Sequence, residues 1–139
     1  MVREISGRSA IAMGILYLVF VGWSIHGAIF PVETHTFRLV HLALIFALAF
    51  LAYPASRRAG PRSIWLDLGL AALGVASIAY ALIDLDQFIR RSTLPDPLDV
   101  FFGIVAIVLL LEICRRVVDN TFTLVVLAFL LYCHFGRYF

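Results

Sequence analysis

Apolar residues gather into five runs, and short stretches rich in proline, arginine or aspartate separate them. Residues 10–30 (AIAMGILYLVFVGWSIHGAIF) end at Pro31, and residues 37–53 (FRLVHLALIFALAFLAY) end at Pro54. The third run covers 64–83 (IWLDLGLAALGVASIAYALI). The fourth covers 98–118, behind the breaker LPDP, and the fifth covers 121–135 (TFTLVVLAFLLYCHF). A helix of about 21 residues, rising ~1.5 Å per residue, crosses a hydrocarbon core of ~30 Å. The fifth run, at about 15 residues, reaches only ~22 Å, so it is either a marginal crossing or a helix lying at the interface. The pattern predicts one all-α integral membrane domain over residues 1–139, with four transmembrane helices plus a short fifth hydrophobic segment.

Composition agrees. The chain is 63% hydrophobic with a mean hydropathy of +0.99, whereas a soluble domain is nearer one half apolar. A globule of 139 residues has nowhere to bury that much apolar surface, so lipid is the solvent for much of it. The formal net charge of +2 gives no basic field that would suggest nucleic acid. The lead MVREISGRSA and the run behind it resemble a signal peptide. The run is too long, however, and no small-residue cleavage site follows, so the segment reads as a retained first span. Cys114 and Cys133 lie in apolar runs with no metal-ligand or redox spacing.

All 11 basic residues are arginine, and most sit at predicted membrane boundaries. Arg3 and Arg8 precede the first run, Arg57, Arg58 and Arg62 fill the loop between the second and third, and Arg115 and Arg116 follow the fourth. Arg38, Arg90, Arg91 and, if the fifth segment crosses, Arg137 fall on the other side. The imbalance favours a cytoplasmic N-terminus. The third run is rich in small residues, and Ala72 and Ala76 share a face at a spacing of four, which predicts a helix packed closely against a sibling or a partner chain.

Few residues suggest chemistry. Arg38 and His41 share one helical face and read either as a proton or anion contact or as a snorkelling arginine beside a helix-bonding histidine. Asp67, three residues into the third run, suits the helix dipole as a structural anchor, with Arg57, Arg58 and Arg62 close enough in sequence to neutralise it. His26 and His41 lie near one depth on neighbouring helices and define an alternative, a standalone small membrane haem or redox protein. Nothing resembles a nucleophile elbow, metal triad, phosphate loop or catalytic carboxylate pair, so no enzyme is expected. In LLLEICRRVVDN (109–120), Glu112 stands three and four residues before Arg115 and Arg116, spacings that pair them on a helix. The cluster reads as an interfacial anchor, an anchor that also bonds a partner subunit, or part of an ion pathway. Asp119-Asn120-Thr121 then offers capping groups for a helix restart.

Read in order, VHLALIFALAFLAYP (40–54), WLDLGLAALGVASIAY (65–80), LPDPLDVFFGIVAIVLLLEICRRVV (94–118) and LAFLLYCHFG (127–136) resemble the small-subunit region of TRAP (tripartite ATP-independent periplasmic) transporters. The TAXI type, often fused at the N-terminus of a larger permease, is the nearest in pattern. The matching positions are His41, Tyr53-Pro54, Asp67, Pro95, Pro97, Asp99, Leu111-Glu112, Arg115-Arg116, Tyr132 and Phe135-Gly136. Asp119 stands where the family pattern has glycine, and the end at Phe139 reads as a separate small subunit. The resemblance implies uptake of organic acids, of dicarboxylate type, across a bacterial inner membrane. The implied partners are a large membrane subunit holding the substrate and coupling-cation (Na+ or H+) sites, an extracytoplasmic TAXI-type binding protein, and lipids. This chain would be a non-catalytic scaffold without a cofactor of its own.

Overall fold

The computed structural model describes residues 8–54 and 61–136. Among the described residues six α-helices follow one another: α1 (Arg8–Ile29), α2 (Thr34–Ala52), α3 (Pro61–Ile83), the short α4 (Leu85–Arg90), α5 (Pro97–Val117) and α6 (Asn120–Phe135), with a 3-10 turn, Arg91–Thr93, between α4 and α5. Four of them, α1, α2, α3 and α5, are long and apolar enough to cross a membrane, and α6 is a shorter apolar helix. The chain is a multi-pass, all-α membrane protein.

Side chains that serve the free backbone N–H groups of a first turn decide where the helices begin. α2 starts at Thr34, three residues before the apolar run, because the Glu33 carboxylate accepts from the His35 and Thr36 N–H groups at 2.9 and 2.5 Å. Those two bonds pull the Glu33 carboxyl down from 4.5 to about 2. α3 likewise starts early, at Pro61, whose fixed φ and missing N–H suit a first helical position. At α5, Asp96 and Asp99 form a capping box with Pro97 between them. The turn before α6 needs no glycine: Asp119 is its extended N-cap and accepts from the Asn120 N–H at 2.6 Å. The stretch between the third and fourth apolar runs carries α4 and the 3-10 turn.

The core lies among α2, α3 and α5. Phe46 and Phe50 are fully buried and stack at 6.4 Å between ring centroids, packed by Ala49, Ala71, Ile78, Leu109 and Ile113. At Gly74 a Cβ would lie 2.8 Å from Phe46 Cγ and 3.0 Å from its Cβ, so only glycine lets α3 approach α2 there. The small-residue expectation for α3 is thus met, but on a different face. Asp67, Ala71, Gly74, Ile78 and Ala81 point inward, whereas Ala72 and Ala76 are exposed. Only 6% of the α1 span is buried, against 33% of α3, so α1 is a peripheral helix resting on α2. α6 leans on α5 and buries none of its residues.

Candidate functional site

Charged side chains form two clusters at opposite ends of the bundle. The first is centred on Arg116, in the last turn of α5. Its Nη1 donates to Asp67 Oδ1 of α3 at 2.7 Å and to the Tyr53 carbonyl, just past α2, at 3.1 Å. Its Nε donates to Glu112 Oε1 at 2.8 Å, and the guanidinium lies over the Phe50 ring, 4.9 Å from the centroid. Glu112 also takes a two-pronged contact from Arg115, whose Nε and Nη2 donate at 2.7 and 2.6 Å. The Arg116 and Asp67 side chains are 3% and 0% exposed, and that of Arg115 is 44% exposed.

One planar fork therefore joins three helices. Glu112 and Arg116 share a face because α5 continues through both, and the start of α3 runs beside the end of α5 because the two spans are antiparallel. The two carboxylates and two guanidiniums are formally neutral together, and neutrality with full hydrogen bonding is what makes such a set tolerable in lipid. It is suited to holding helices together. The carboxylate oxygens of Asp67 and Glu112 face guanidinium donors, an arrangement that ties helices to one another.

Two sequence readings change here. Asp67 is not a first-turn group, since α3 begins at Pro61 and its N-terminus lies nearly two turns away. It is paired with Arg116, 49 residues downstream. Arg57 and Arg58, expected with Arg62 to neutralise it, lie outside the described residues, as does the Arg62 side chain. Arg115 and Arg116, read as one boundary pair, have different tasks, since Arg116 points into the bundle and Arg115 lies at its surface. The Asp67–Arg116 contact was missed. A signal for it does exist: an acid just inside one run and a base at the end of another reach the same depth when the helices are antiparallel.

The second cluster lies at the other end. The Tyr80 hydroxyl donates to Asp99 Oδ1 at 2.8 Å, the Asp96 N–H donates to Asp99 Oδ2 at 2.9 Å, and Arg91 is paired with Asp96 and stands 3.7 Å from Asp99. Neither Tyr80 nor Arg91 stood out in the sequence, because their partner Asp99 sits 19 residues from Tyr80 across the α4 connection.

Arg38 and His41 share a helix but do not act together. Arg38 is exposed and lines a cavity beside α4 and α5. His41 turns toward α1, with its ring 4.6 Å from Phe20 and 5.8 Å from Phe37, and its Nδ1 is buried without a hydrogen-bond partner among the described residues. His26 stacks on Trp23, and Trp23 on Phe37, at 5.9 Å each, so a ladder of aromatic rings links the two histidines. Among the described residues no group of three or more His, Cys, Asp or Glu side chains is placed to hold a metal ion. No protein-family model, curated protein or solved structure matches the chain.

Proposed function

We propose that the chain is the small, non-catalytic membrane subunit of a TRAP-type transporter of the TAXI kind, bracing a larger subunit that carries organic acid and coupling cation. In this reading it sits in a bacterial inner membrane with its N-terminus in the cytoplasm. The ordered motif resemblance supplies the family. The observation that carries the role is the Arg116 cluster: the Leu-Glu-x-x-Arg-Arg stretch, the most recognisable part of the resemblance, is engaged in tying α2, α3 and α5 together. A subunit whose buried charges are committed to its own bracing suits a scaffold. The wide apolar flanks of α1 and α6 leave surface for a large neighbour in the membrane.

The test is co-expression of the tagged chain with the large permease and TAXI-type binding-protein genes of its own source. The chain should co-purify with the large membrane protein, and organic acid uptake into proteoliposomes should require both. Isolation as a stable monomer, with uptake undiminished when the chain is left out, would refute the assignment.

A further inference from the structure

A cavity of about 580 Å³ opens beside α4, between the first turns of α2 and α5. Leu39 of α2 and Leu85 and Phe88 of the α4 segment give it an apolar wall. Arg38, His35 and Arg91 bring donor groups to the same space, and Asp99 brings a carboxylate.

Donors and acceptors around the cavity do not balance. Asp99 is already engaged at both oxygens, by the Tyr80 hydroxyl and by the Asp96 N–H. Arg91 Nε is buried with no acceptor among the described residues. Arg38 forms no hydrogen bond or ion pair among them either. Arg91, already paired with Asp96 and near Asp99, keeps an unmet Nε, while Arg38 keeps all of its donors unused beside an apolar wall. A small soluble anion would satisfy the arginines and leave the wall wet, while a plain alkyl chain would cover the wall and leave Arg38 unmet. An amphiphile with a phosphate head meets both needs, since guanidinium forks match phosphate oxygens. Position agrees, because the cavity lies where the spans Thr34–Ala52 and Pro97–Val117 begin, the level of lipid headgroups.

We propose that this cavity binds one acidic phospholipid, its phosphate between Arg38 and Arg91 and the upper part of an acyl chain against Leu39, Leu85 and Phe88. The inference does not depend on the transporter assignment, since it uses only this chain's own residues.

The test uses the full chain, purified in detergent and stripped of lipid, then titrated with dioleoyl phosphatidylglycerol or dioleoyl phosphatidylcholine and read by native mass spectrometry. One phosphatidylglycerol should be retained in preference to phosphatidylcholine. Arg38→Ala should weaken its retention about tenfold or more, the loss of one charge-assisted contact. Leu39→Trp, which keeps every charge but fills the wall, should weaken both lipids alike. Equal retention of phosphatidylglycerol by the wild type and Arg38→Ala would overturn the proposal. So would displacement of the lipid by inorganic phosphate or succinate at comparable concentration, which would make the cavity a site for soluble anions.

Discussion

Arg115 and Arg116 are neighbours in sequence and opposites in energetic role. Removing Arg116 breaks a buried ion pair with Asp67, a change that costs about 3–5 kcal/mol. Arg115 meets Glu112 at the surface, where an ion pair contributes about 1 kcal/mol or less. Arg116→Ala is therefore expected to lower the thermal midpoint in detergent far more than Arg115→Ala. Adding Asp67→Asn to Arg116→Ala should give less than the sum of the two single losses, because the two side chains share one contact. Equal effects of the two arginine replacements would contradict this. The pairing of Glu112 with its own helix was legible, since spacings of three and four dictate it. The longer contact to Asp67 was not, because a single run does not reveal which other run lies beside it. A third residue makes a pH prediction. Glu33 has its carboxyl lowered from 4.5 to about 2 by the His35 and Thr36 N–H groups. A lowered folded value means the cap contributes fully above about pH 4.5, declines below it and is lost as the pH falls through about 2. Amide exchange at His35 and Thr36 should accelerate over that window relative to the intrinsic rate, and Glu33→Gln should abolish the transition.

Two glycines set how closely the helices approach. At Gly74 the obstacle to a side chain is Cβ and Cγ of Phe46, atoms tied to the α2 backbone. Gly74→Ala should therefore destabilise the chain by about 1–3 kcal/mol, the usual cost of overpacking. Gly69→Ala is the control: its Cβ would meet nothing within 4 Å, and the change should stay within about 0.5 kcal/mol. At Gly27 the obstacle is the outer edge of the Phe37 ring, which can turn aside. Gly27→Ala should cost less than Gly74→Ala but break the Trp23–Phe37 stack, seen as a shift in tryptophan emission. Apolar runs revealed the four spans and α6 to within a few residues. Their starts were misplaced because Glu33 and Pro61 extend helices into polar sequence. α4 escaped notice because its six residues, LDQFIR, are too few to show a helical period.

Across the whole molecule, stability and exposure are divided among helices. α2, α3 and α5 hold the aromatic core and the Arg116 cluster, while α6 contributes no buried residue. Truncation before Asn120 should therefore lower the thermal midpoint less than Arg116→Ala does, although it removes a whole apolar helix. If α6 faces the proposed larger subunit, the same truncation should reduce co-purification sharply. A truncated chain that no longer folds would show that α6 stabilises the core after all. Membrane character was plain from hydropathy alone. Two separate polar ends were not, since they emerge only when antiparallel helices bring Tyr80 to Asp99 and Asp67 to Arg116.

The 49 residues between Asp67 and Arg116 also set a schedule for biogenesis. A ribosome adding about 5–20 residues per second delivers Asp67 to the membrane roughly 2–10 seconds before Arg116 exists. During that interval α3 lacks its Asp67 link to α5, and it gains that tie only when the end of α5 arrives. The fork that joins α2, α3 and α5 is thus closed from the C-terminal side, and a ribosome stalled after α4 would leave those helices without it.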